Sequence, residues 1–320
     1  MIFEKLCTEA FDERNISKDI HEMNDHIKSL LANAPPSHEI PFEVLQDIRR
    51  KGGGLLAFQQ YSEKAENIQV NYGNHKVTIR IFNHDSPDFV YLHIHGGGHC
   101  IGAADMQDQS LEKISNDLNC AVVSVEYRLA PANPYPAAPD DCEAVAIWLI
   151  ENSKNQFNTE KIVIGGESAG ANLSAVTLQR LKSKGLLGNI KGANLIYGSY
   201  DARLTPSTLR QQGSDEIFLL SYEMIRKFRD SYFQGNLDLS LTDISPIHGD
   251  LFGMPPALFT VGTRDLLLDD TLFMYGRWLS HGANAEIIII PGADHAFNAF
   301  PSDTTTLVEN KIYDFIKSVI

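Results

Sequence analysis

Apolar and polar positions follow two rhythms along this chain. Short runs rich in β-branched and aromatic residues at 77–82, 89–94, 121–127, 161–164, 257–261 and 285–290 read as strands, with 194–197 a weaker member. Between them, 105–118, 138–151, 172–182, 269–281 and 305–320 space their apolar residues as helices do. This alternation predicts an α/β class fold with a mostly parallel central sheet flanked by helices. Residues 1–50 and 202–250 stand outside the rhythm and are helical in pattern, 222–232 being the clearest segment. The expected organisation is a helical cap built from 1–50 and 202–250 over a core built from 51–201 and 251–320. For the first piece, a solvated N-terminal arm is the alternative.

Composition narrows the partners. The 320 residues are 43% hydrophobic and 21% charged, enough for one large core. Lys and Arg number 27 against 41 Asp and Glu, and the net charge of −14 argues against nucleic acid or an anionic membrane as partner. A neutral or cationic small molecule fits better. The most apolar stretch, Ile287-Ile288-Ile289-Ile290, is far too short to span a bilayer and reads as a buried strand. Residues 1–10 carry Glu4 and Glu9 and lack the basic and apolar regions of a secretory signal. Cys7, Cys100, Cys120 and Cys142 are scattered, without Cys-x-x-Cys spacing. A cytoplasmic location without a disulfide framework or zinc site is therefore expected. No interface stretch stands out, and a homodimer is left open.

Candidate chemistry falls at the strand ends. Gly166-Glu167-Ser168-Ala169-Gly170 follows one apolar strand and precedes a helical run, the setting in which a serine is held on a sharp elbow between glycines. A glycine-rich turn that binds phosphate or merely packs closely is the bland reading. The following helix aims its N-terminus at the site, and the Ala169 N–H is an oxyanion donor. His95-Gly96-Gly97-Gly98 ends the strand at 89–94, and the N–H groups of Gly97 and Gly98 are the further donors expected there. The spacing of His93, His95 and His99 allows a metal site as a rival, but no carboxylate or cysteine cluster joins them, and no metal or other cofactor is expected. Asp265 and His295 each follow a late strand in the order a Ser, Asp, His triad requires. Asp269 and Asp270 read as caps of the next helix, and Asp294 adjoins His295 too closely to reach its Nδ1.

Taken together, these motifs resemble the hormone-sensitive-lipase-like branch of the α/β-hydrolases, the bacterial family IV esterases, over about residues 75 to 320. His95 to Gly98 matches H-G-G-G, and Gly166 to Gly170 matches G-[DE]-S-A-G. Tyr127-Arg128-Leu129-Ala130-Pro131 with Pro134 and Pro136-Ala137-Ala138 matches Y-R-L-A-P-x-x-P-x-P-A-A, and Asp265 to Asp270 matches D-x-L-x-D. The resemblance implies a cofactor-free esterase of short acyl chains, with Ser168, Asp265 and His295 catalytic and Gly97, Gly98 and Ala169 forming the oxyanion hole. Glu167 and Asn172, with His95 and Gly96, would support the elbow and loop. His99 replaces the usual aromatic after the glycines, and Ala132 the usual glutamate, so His99 is marked as a pocket candidate. Hydrolysis of an amide, carbamate or thioester uses the same triad, and a non-catalytic small-molecule receptor on this fold is the rival of another class.

Overall fold

The computed structural model describes every residue except 33, 55, 57–59, 215 and 217. In chain order the elements are α1 (Lys18–Leu31), α2 (Phe42–Arg50), β1 (Glu66–Tyr72), β2 (His75–Phe82), β3 (Phe89–Ile94), α3 (Asp108–Leu118), β4 (Cys120–Glu126) and α4 (Ala137–Phe157). There follow β5 (Ile162–Glu167), α5 (Ala169–Ser183), β6 (Ile190–Ile196), α6 (Pro206–Leu209), α7 (Tyr222–Tyr232), β7 (Ala257–Gly262), α8 (Leu268–Ser280), β8 (Ala285–Ile290) and α9 (Asp303–Val319). Short 3-10 turns lie between several of them.

The strands form one sheet in the order β1-β2-β4-β3-β5-β6-β7-β8. From β4 to β8 all neighbours are parallel, while β2 pairs antiparallel with both β1 and β4. Strands β3 and β7 are buried at every position, which is why they read as unbroken apolar runs. Alternate side chains feed two cores. Val90, Leu92, Val123, Ile164 and Phe259 pack with Leu149, Leu178 and Trp278 of α4, α5 and α8. Phe89, Tyr91, Val122, Leu258 and Ile288 pack with Ile20, Leu111 and Phe315 of α1, α3 and α9.

The sheet grows outward in both directions from β3, with β4 on one side and β5 on the other. A parallel sheet opens a crevice beyond the carboxyl ends of its strands at such a reversal. The loops leaving β3 and β5 meet there.

The helical pieces take different neighbours. Phe3 pairs with Ile289 at the β8 edge, Asn24 Nδ2 donates to the Gly292 carbonyl at 2.8 Å, and Asp19 accepts the Thr304 N–H. Further on, Phe42 stacks on Phe228 of α7 at 5.5 Å, Lys227 Nζ donates to the Ile40 carbonyl, and the Gln46 amide exchanges two hydrogen bonds with the Gly102 backbone. One strand went unpredicted: β1, Glu66-Asn67-Ile68-Gln69-Val70-Asn71-Tyr72, buries only Val70 fully. Its alternation is carried by Asn and Gln, which weakens the apolar signal. Among the described residues no helix is long and apolar enough to cross a membrane.

Candidate active site

The elbow is dictated by crowding. Strand β5 runs into α5 with a single residue, Ser168, between them, at φ +56° and ψ −117°. This positive φ is strained for a residue with a β-carbon and is held by its surroundings. A β-carbon on Gly166 would lie 2.1 Å from the Ile94 carbonyl oxygen, and one on Gly170 would lie 1.9 Å from it. Only glycine fits at either position. The turn brings Ser168 Oγ to 3.0 Å from His295 Nε2.

His295 follows β8 on the loop 291–296, and Asp265 follows β7. Asp265 Oδ2 lies 2.7 Å from His295 Nδ1, and its Oδ1 accepts the Leu267 N–H at 2.8 Å. The Asp265 side chain is fully buried and that of His295 nearly so. A carboxylate bonded to Nδ1 fixes the tautomer that leaves Nε2 free to accept the Ser168 proton. The two loops are tied by the Arg264 N–H to the Ala293 carbonyl at 3.1 Å and the Gly292 N–H to Thr263 Oγ1 at 2.8 Å. Tyr197, at the end of β6, sets its ring 4.6 Å from the His295 ring.

The glycine loop lies against the elbow. A β-carbon on Gly96 would come within 2.8 Å of the Glu167 carbonyl oxygen and 3.4 Å of Ser168 Cβ. Gly97 sits at φ +118° and turns its carbonyl to the N–H groups of Cys100 and Ile101. Among the described residues, the N–H groups of Gly97 and Gly98 donate to no protein acceptor. The Ala169 N–H belongs to the first turn of α5, where no intrahelical partner exists. Such groups beside Ser168 are suited to a developing negative oxygen.

Glu167 secures this loop. Its carboxylate accepts the Gly96 N–H at 2.8 Å and the Gln107 side-chain amide, and faces His93 Nε2 at 3.2 Å, while His93 Nδ1 meets Ser124 Oγ at 2.9 Å. Burial works to raise the Glu167 carboxyl, but His93 and these hydrogen bonds outweigh it and hold it below the ordinary glutamate value. His95 stacks on Tyr127 at 4.1 Å and bonds through Nδ1 to the Gly96 carbonyl. Burial lowers its pKa to about 4. Asn172 donates to the Ser199 carbonyl at 2.7 Å. The His99 ring lies buried and flat against Tyr232 of α7, 3.9 Å between centroids, with Asn172 beside it. Burial lowers its pKa to about 3, so the ring is neutral. Thus His93, His95 and His99 face Glu167, Tyr127 and Tyr232 respectively, and among the described residues no three His, Cys, Asp or Glu side chains are grouped to hold a metal ion.

A family model described as the alpha/beta hydrolase fold matches residues 91–299, well over half of the chain. The chain belongs to the α/β-hydrolase family. Several solved structures resemble this α/β-hydrolase. A hyperthermophilic esterase from the archaeon Pyrobaculum calidifontis is 25% identical, with a TM-score of 0.83 over 95% of this chain and 98% of the other. EstE1, a thermostable carboxylesterase cloned from a metagenomic library, is 25% identical, with a TM-score of 0.80 over 88% and 99%. An ester hydrolase from the Lake Arreo metagenome, complexed with a bipyridine phosphonate derivative, is 22% identical, with a TM-score of 0.81 over 95% and 98%. At that identity the last shows the fold alone.

For this α/β-hydrolase, sequence reasoning brought Ser168, Asp265, His295 and the glycine loop to one place but overlooked Gln107, Tyr197 and the role of His93. Gln107 bears no motif, and Tyr197 is one more aromatic at a strand end. The reading of Asp269 and Asp270 as helix caps is corrected. Asp269 accepts the Ser207 N–H, and Asp270 accepts the N–H groups of Tyr200 and Asp201 and the Thr205 hydroxyl, so both hold the chain leaving β6 and neither caps α8.

Proposed function

We propose that the protein is a serine carboxylesterase that hydrolyses short-chain acyl esters of small alcohols, in the hormone-sensitive-lipase-like branch of its family. The observation that carries this is the continuous chain from Ser168 Oγ through His295 to Asp265, at 3.0 and 2.7 Å, on a strained elbow beside a glycine loop. Similarity to an esterase and a carboxylesterase at 25% identity supports the same reaction class.

In the reaction, Ser168 Oγ attacks the ester carbonyl while His295 Nε2 takes its proton. The N–H groups of Gly97, Gly98 and Ala169 hold the oxyanion, which needs no metal or other cofactor. His295 then passes the proton to the departing alcohol, leaving the acyl group on Ser168. Water repeats the attack with His295 as base, and the acid is released. Asp265 stays ionised and orients the imidazole throughout.

The cap belongs to the same proposal: 1–50 and 202–250 shape the acyl and alcohol pockets. The contacts of Phe228 favour this assignment. Its ring would be 2.2 Å from a β-carbon on Gly98, so α7 lies directly against the glycine loop. His99 then acts by bracing α7 through Tyr232, more than as a pocket wall. A cytoplasmic setting fits the four free cysteines.

Replacing Ser168 with alanine should leave the fold intact and abolish hydrolysis of p-nitrophenyl butyrate. Turnover at the wild-type rate in that variant would sink the proposal. A panel of amide and thioester substrates tests the reaction class in the same assay.

A further inference from the structure

Asp294 precedes His295, and its buried carboxylate has no part in the reaction just described. One oxygen, Oδ1, accepts the His295 N–H at 2.7 Å, and the other, Oδ2, accepts the Leu219 N–H at 3.1 Å. Arg264, the residue before Asp265, brings its Nε to 3.7 Å from that same Oδ2. The Arg264 guanidinium also lies 4.5 Å from the centre of the Phe218 ring and pairs with Glu216. The neighbours of the proposed acid and base thus grip one stretch of the 202–250 segment, marked by Glu216, Phe218 and Leu219.

Burying a carboxylate is costly unless it is paired. Asp294 is 2% exposed. Burial pushes its pKa up to about 6, against the pull of the Leu219 and His295 N–H groups. Above that value it is an anion held by two N–H groups and one guanidinium. An apolar side chain would fill the space without the desolvation cost. It would accept neither N–H, and His295, followed by Ala296 at φ +57°, would lose the bond that sets its peptide plane.

We propose that Asp294 is a positioning residue for ester hydrolysis: with Arg264 as its cation, it fixes the His295 backbone and docks Phe218 and Leu219 in a single arrangement. The cap segment and the imidazole are then placed together. This rests on the esterase reading and adds to it a route by which the cap acts on the rate.

The test compares Asp294→Asn, Arg264→Gln and the double variant with wild type, using p-nitrophenyl butyrate. Asparagine keeps one acceptor oxygen and cannot serve both N–H groups, so kcat should fall at least about tenfold with KM within about threefold. Hydrogen exchange in peptides containing Phe218 and Leu219 should quicken in either single variant. The double variant should lose no more than the worse single one, because both changes break one linkage. A kcat within twofold of wild type in folded Asp294→Asn overturns the proposal, as does a loss confined to KM, unchanged exchange at Leu219, or additive losses. If Asp294→Asn does not fold, Arg264→Gln, which leaves the carboxylate in place, carries the same expectations. With Ser168→Ala inactive, an unaffected Asp294→Asn overturns this inference alone. Turnover surviving in Ser168→Ala overturns the reading beneath it.

Discussion

Gly170 lies so close to Ile94 that a β-carbon on the glycine would sit 1.9 Å from the Ile94 carbonyl oxygen. That contact joins the first turn of α5 to the end of β3, and so holds the Ser168 elbow and the glycine loop at one separation. The offending atom is backbone at the end of a fully buried central strand and has little freedom to move. Gly170→Ala should therefore destabilise the fold by more than about 2 kcal/mol, the scale of overpacking a tight core. Urea unfolding measures this, and a variant with the wild-type midpoint would contradict it.

Glu167 gives a graded prediction. Its carboxylate serves the Gly96 N–H, Gln107 and His93 in a buried place, and alanine would leave all three without it. Leaving buried donors unpaired costs about 1–3 kcal/mol each. Glu167→Ala should unfold at markedly lower temperature and lose at least about tenfold in kcat, roughly 1.4 kcal/mol of barrier. Glu167→Gln retains one acceptor oxygen and should fall between alanine and wild type. The reverse order in kcat would contradict the bracing role.

The sequence made the elbow and the two late loops legible because each rests on a strict local demand. Gly166, Gly170 and Gly97 occupy places where a β-carbon collides with backbone, and no other residue type can stand there. The strands of the sheet centre were legible because burial on both faces demands unbroken apolar runs. What the sequence hid was long-range. Gln107 reaches Glu167 across 60 positions, and Leu219 reaches Asp294 across 75, with no periodicity to announce either. Strand β1 was hidden for another reason: at the sheet edge its outward positions stay polar, although the Gly73-Asn74 turn that joins it to β2 was a readable hairpin signal.

His99 stacks on Tyr232 as a neutral ring, so what the position needs is a flat aromatic face. Such pairs contribute about 0.5–1.5 kcal/mol beyond buried area. His99→Phe should keep kcat/KM for p-nitrophenyl butyrate within about threefold, whereas His99→Ala should lower it roughly tenfold, consistent with losing that contact beneath the glycine loop. Equal losses in the two variants would show that an imidazole nitrogen is required.

Asp270 predicts how stability varies with pH. Burial pushes its carboxyl up to about 7, opposed by the hydrogen bonds from Thr205, Asp201 and Tyr200. A carboxyl whose folded value exceeds its unfolded value binds a proton more readily in the folded state. Its contribution to stability is therefore greatest below the unfolded value and declines as pH rises from about 4 to about 7. Asp294, raised to about 6, acts in the same sense. Asparagine at 270 can keep both backbone N–H groups on its oxygen and turn its amide to Thr205. Asp270→Asn should thus lose less stability than wild type between about pH 4 and about pH 7 in urea titrations. Parallel pH profiles would rule the explanation out.

The proposed covalent step is open to direct observation. Wild-type protein mixed with p-nitrophenyl acetate, quenched in acid within the first turnovers and digested for peptide mass spectrometry, should carry one acetyl group on Ser168. In His295→Ala the attack by Ser168 and the attack by water both lose their base, so the adduct should form far more slowly than in wild type. An enzyme that turns over the ester while Ser168 stays unmodified, with the acetyl group elsewhere or nowhere, would contradict the account at its centre.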